Sequence, residues 1–160
     1  MEQWQNFLLA EAGASAALTG LIFVGVSINL KRILSLPKLP NRALEALLLL
    51  LTILVVSSLL LVPQQSMSLA GIEVLLIGIG IWTSIIVLDL RILRGTKRQF
   101  RLQHGVNMVL SQLATLPYVV GGTIMVLNGA NGLYWLVPAF IFAFLKALLD
   151  AWVLLVEINR

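Results

Sequence analysis

The 160-residue chain has no cysteine, one histidine and few charges, with only 11% of its residues Asp, Glu, Lys or Arg. Without cysteine there is no disulfide scaffold, thiol nucleophile, iron–sulfur centre or cysteine zinc site. The single imidazole, His104, is too little for a histidine metal site within one subunit. Enzyme signatures are missing as well: there is no HExxH, no serine in a G-x-S-x-G turn, no P-loop, no dinucleotide fingerprint and no intramembrane pair of aspartates. The chain is therefore expected to be neither an enzyme nor a binder of cofactor or metal. What is abundant is apolar surface, with 59% hydrophobic residues and a mean hydropathy of +0.99, above what a soluble domain carries. At this length it reads as one domain, residues 1–160.

Apolar runs of about 20 residues match a hydrocarbon core of about 30 Å, and five are present, near 7–30, 43–63, 70–90, 106–128 and 133–157. The fold expected is all-α, an integral membrane bundle of five transmembrane helices. The breaks have local causes: Pro37 and Pro40 flank Lys38, Pro63 opens Gln64-Gln65-Ser66, and Asn128-Gly129-Ala130-Asn131-Gly132 reads as a tight turn. Lys31, Arg32, Lys38 and Arg42 follow the first run, and Arg91, Arg94, Lys97, Arg98 and Arg101 follow the third, whereas the loops after the second and fourth carry no basic residue. By the positive-inside rule the N-terminus is outside and the C-terminus, with Arg160, is cytoplasmic. Trp4, Tyr134 and Trp135 then fall at the outer interface. The net charge of +4 comes from the cytoplasmic loops, so its natural partner is the anionic inner leaflet. Arg94, Lys97, Arg98 and Arg101 form the segment expected to face those lipids, and no nucleic-acid-binding fold remains once the spans are removed.

Inside the spans, Gly13, Ala17, Gly20, Val24 and Ser27 recur at heptad spacing, and Gly78 adds a small residue to the third span. Such positions let another helix approach closely, either within the subunit or between subunits. The fifth span places Lys146 about 20 Å deep by the rise per residue, where a lone ammonium costs about 2.5–3.5 kcal/mol on insertion scales. Asp150 follows at i+4 and reaches it. Thr19, Ser111, Thr115 and Tyr118 supply neutral polar groups in other spans. Pro117 has no N–H for the carbonyl of Leu113, and Gly121 with Gly122 makes the fourth span deformable, so these three form a candidate hinge. Glu11, about one turn below the outer surface, either is held structurally or faces a wet vestibule. The Lys146–Asp150 pair is either an ionic clamp that sets helix register or part of a conduction path.

The stretch Gly13-Ala14-Ser15-Ala16-Ala17-Leu18-Thr19-Gly20-Leu21-Ile22-Phe23-Val24-Gly25-Val26-Ser27-Ile28-Asn29-Leu30, followed by Leu39-Pro40-Asn41-Arg42-Ala43-Leu44-Glu45-Ala46-Leu47, resembles the N-terminal half of a family of small bacterial integral membrane proteins, some labelled modulators of a membrane protease. The resemblance covers about the first third of the chain. It implies a bacterial inner (plasma) membrane and assigns no functional residue.

Two functional expectations follow. The first is a homo-oligomer that forms an ion-conducting pore on its axis, lined by Glu11, Lys146 and Asp150 with Thr19, Ser111, Thr115 and Tyr118, with Lys146 setting charge selectivity. The second is an accessory membrane protein that binds and regulates a larger complex, such as a protease or transporter, through its small-residue stripes.

Overall fold

A computed structural model describes residues 2–36, 39–94 and 101–158, without the side chains of 2–3, 94, 101–104 and 157–158. It is all-helical, with no strand among the described residues. The helices are α1 (Glu2–Ile28), α2 (Leu30–Ser35), α3 (Leu39–Leu60), α4 (Met67–Arg94), α5 (Arg101–Asn128) and α6 (Leu133–Ile158), with a 3-10 turn at Gly129–Gly132 joining the last two. Four stretches are long and apolar enough to cross a membrane: Trp4–Ile28, Leu39–Leu60, Met67–Leu93 and the 52-residue Gly105–Val156, which takes in both α5 and α6. Helices suit such sequences because every backbone N–H and C=O is satisfied within its own segment.

The helix ends follow from particular residues. Asn29 interrupts the first helix, its side-chain amide donating to the Gly25 carbonyl at 3.0 Å. Leu36 is extended (φ −111°, ψ 119°), as expected for a residue that precedes a proline. Ser66 caps α4, its hydroxyl accepting the Leu69 N–H at 3.3 Å. Gly129 takes a positive φ of 64°, a conformation that costs glycine nothing and ends α5.

The chain runs up and down. Each long helix packs against the next, and α3 also packs along α6. One end of the bundle therefore gathers Trp4, Pro63 and the Asn128–Gly132 turn, and the other gathers α2 and the ends of α4 and α6. An aromatic chain pins the first of these ends: Trp4 meets Tyr134 at 5.0 Å between ring centroids, Phe7 stacks on Phe140 at 5.9 Å, and Phe140 meets Tyr118 at 5.9 Å. The buried core lies among α3, α4, α5 and α6 around Leu49, Ile53, Ile85, Tyr118 and Phe140. Large apolar side chains also cover the outside, among them Leu21, Ile28, Leu127 and Trp152. Such a surface is compatible with a multi-pass membrane protein.

The glycines sort by environment. At Gly78 a Cβ would lie 3.0 Å from Val119 N, so it is a packing position between α4 and α5. Gly13 and Gly20 have nothing within 4 Å of an added Cβ, and Ala17 is exposed beside them. The small-residue stripe of α1 thus faces away from the bundle, and α1 contacts it instead through Leu8, Ser15, Leu18 and Ile22. Gly121 and Gly122, read in the sequence as part of a hinge, lie at close helix contacts. A Cβ at Gly122 would come 2.6 Å from Leu75 N, and one at Gly121 3.2 Å from Gly132 O. Their missing side chains let neighbouring backbones approach. α5 runs through Pro117 without a break.

Candidate functional site

A buried ionic cluster lies toward the α2 end of the bundle. Lys146 on α6 is fully buried and its Nζ sits 2.7 Å from Glu45 Oε1 on α3. It also pairs with Asp150 one turn along its own helix, as the i, i+4 spacing implied. Asp150 in turn meets Arg42 on α3, with 3.4 Å from Nη1 to Oδ1, and Arg42 retains partial exposure. Ser111 on α5 donates from Oγ to Glu45 Oε1 at 2.8 Å. Asp89 on α4 is fully buried as well, within electrostatic reach of Glu45, Lys146 and Arg42.

Four helices therefore contribute to one site. Among the described residues the cluster gathers the carboxyl groups of Glu45, Asp89 and Asp150 and the bases Arg42 and Lys146. Inside an apolar bundle, ionised groups persist only when paired and hydrogen-bonded. Glu45, Lys146, Asp150 and Arg42 have ion-pair partners in the cluster. Among the described residues no group of carboxylates or imidazoles converges as a metal ligand set.

The sequence placed Lys146, Asp150, Ser111, Thr115 and Tyr118 on a seam open to an oligomer axis. In the structure each is buried within a single chain, because α3, α4, α5 and α6 close around them. Thr115 directs its hydroxyl to the Ser111 carbonyl at 2.8 Å, and Thr19 on α1 does the same to the Ser15 carbonyl at 2.7 Å. These hydroxyls spend their proton on their own helix. Glu11 does not join the Lys146 cluster. It lies half-buried on α1 within electrostatic reach of Tyr118. Neither Glu11 Oε2 nor the Tyr118 hydroxyl has a hydrogen-bond partner among the described residues. Lys97 and Arg98 of the basic segment lie outside the described residues, as do the side chains of Arg94 and Arg101.

Glu45 and Asp89 were not singled out from the sequence. The available signal was an acid within an otherwise apolar helix, at Ala43–Leu51 and at Ile85–Leu90. The sequence reading found no intramembrane aspartate pair, yet Asp89 and Asp150 are both buried and both within reach of Lys146 and Arg42.

No protein-family model matches the chain, and neither a curated protein nor a solved structure resembles it.

Proposed function

We propose that this is a bacterial inner-membrane protein that conducts ions, with the buried Arg42–Asp150–Lys146–Glu45–Ser111 network as its ion-handling site. The 52-residue stretch Gly105–Val156 counts as two crossings in this reading. At 1.5 Å per residue it would otherwise be about 78 Å long, and α5 and α6 fold back on each other at Gly121 and Gly132. Five crossings then put the N-terminus outside and the basic loops against anionic lipid at the cytoplasmic face.

The observation that carries the reading is the burial of Glu45, Lys146 and Asp150 as one bonded network inside an apolar bundle. Ionisable residues inside a membrane are costly and cluster on ion and proton pathways. Lys146 sets charge selectivity, and Asp150 holds it in place. The chain assembles with copies of itself through α1.

The test is flux across vesicles containing the purified protein. Wild type is expected to dissipate an imposed cation or proton gradient, and Lys146→Met to change the rate or selectivity. Unchanged flux and selectivity in a folded Lys146→Met protein would remove Lys146 from the path.

The outward face of α1 favours a second reading, an accessory protein that regulates a larger membrane complex. Gly13 and Gly20 are open there to a foreign helix as readily as to another copy. In that case Lys146→Met lowers stability or partner binding, and wild type conducts nothing.

A further inference from the structure

α1 and α6 run in the same direction but barely touch. Between them, toward the α2 end, lies an apolar groove of about 220 Å³ lined by Leu18, Gly25 and Val26 of α1, Ile33 of α2, and Ala151 and Leu154 of α6. Nothing lies within 4 Å of where a Cβ on Gly25 would sit, so the groove is open at that point. Its end is marked by α2, where Ile33 turns into the groove while Lys31 and Arg32 are exposed beside it. Neither cation forms a salt bridge among the described residues.

We propose that this groove holds one acyl chain of an anionic phospholipid, with the phosphate against Lys31 and Arg32. An apolar groove open to hydrocarbon is filled by whatever hydrocarbon surrounds it. Lys31 and Arg32, exposed on α2 next to Ile33 and level with the end of α1, complement a negatively charged headgroup. A second copy of the chain or a foreign helix would fill the apolar part equally well, but would leave Lys31 and Arg32 without a counter-charge. Gly25 and Ala151 keep the groove wide enough for a flexible chain. The inference rests on the membrane reading and not on ion conduction. Failure of the membrane reading would be distinguishable, because the protein would then stay dispersed without detergent.

The experiment is native mass spectrometry of the detergent-purified protein with added phosphatidylglycerol or phosphatidylcholine, alongside thermal unfolding in each. Wild type is expected to retain one phosphatidylglycerol, to retain phosphatidylcholine several-fold less well, and to unfold at higher temperature with the anionic lipid. Gly25→Leu, whose Cβ has nothing within 4 Å and whose longer side chain enters the groove, is expected to lose the bound lipid and the added stability while its lipid-free unfolding stays unchanged. Lys31→Gln/Arg32→Gln, on exposed positions that do not affect folding, is expected to bind the two lipids alike. Equal retention of both lipids by wild type, or lipid retention by Gly25→Leu equal to wild type, would overturn the proposal. So would a wild-type dimer that Gly25→Leu converts to monomer, which would assign the groove to a second copy.

Discussion

Lys146 Nζ and Glu45 Oε1 lie 2.7 Å apart across the α3–α6 interface, with both side chains completely buried. The pair ties two helices 100 residues apart in sequence, and its register is fixed further by Asp150 on one side and Ser111 on the other. Buried pairs of this kind are weak contributors to net stability but costly to break, since removing one partner strands the other charge.

Lys146→Met is therefore expected to destabilise the bundle by about 3–5 kcal/mol, the range found when a buried ion pair loses one member. Lys146→Met combined with Glu45→Leu is expected to recover at least half of that, because no charge is then stranded at the α3 side and the volume is kept. Denaturant unfolding in mild detergent measures both. A double variant no more stable than the single one would show that Glu45 and Lys146 are not each other's main partners.

The hydroxyls of α5 separate by what they bond to. Ser111 reaches Glu45 on another helix, whereas Thr115 bonds only to the carbonyl of Ser111 four residues earlier. Ser111→Ala is expected to cost about 1.5–3 kcal/mol, as for a hydrogen bond to a charged group. Thr115→Val keeps the shape and removes only a bond within its own helix, so about 0.5 kcal/mol or less is expected. Equal effects of the two would mean that Ser111 supports packing and not the carboxylate.

How much of this was legible in sequence depends on whether the information lies along one helix or between helices. Span positions are local. The runs near 43–63 and 133–157 correspond to Leu39–Leu60 and Leu133–Ile158, and Pro63 and Gly129 mark ends that their own backbone preferences dictate. Lys146 with Asp150 is local too, because i and i+4 share a face on any helix. Glu45 and Asp89 are different, since whether an acid on α3 or α4 meets Lys146 depends on how each helix is rotated about its axis. Periodicity is a poor guide to that rotation when nearly every face is apolar. The same ambiguity hid the direction of the α1 stripe: small residues permit close approach but do not say which neighbour approaches.

Glycine substitutions test that packing directly. Gly122→Ala places a Cβ 2.6 Å from the Leu75 backbone nitrogen, and Gly71→Ala one 2.8 Å from Val126 N. Backbone cannot move aside as a flexible side chain can, so each is expected to cost about 1–3 kcal/mol as overpacking does. Gly20→Ala meets nothing and is expected to be neutral or to stabilise by up to about 1 kcal/mol, since alanine favours helix. Thermal unfolding of the three in one detergent ranks them. A large loss from Gly20→Ala together with a change in assembly mass would show that another helix covers that face.

The absence of cysteine makes the topology testable one thiol at a time. Ser35 after α1, Gln64 between α3 and α4, and Asn131 between α5 and α6 are all exposed at helix ends, so a single thiol at each is open to solvent and should leave the fold intact. With five crossings and the N-terminus outside, Gln64→Cys and Asn131→Cys are expected to react with a membrane-impermeant maleimide on intact cells. Ser35→Cys is expected to react only after the inner membrane is permeabilised. The reverse pattern would invert the orientation and place the buried cluster in the outer half of the bilayer. Failure of Asn131→Cys to label from either side would be harder on the five-span reading. It would mean that the Asn128–Gly132 turn does not reach the surface and that α5 and α6 do not cross separately.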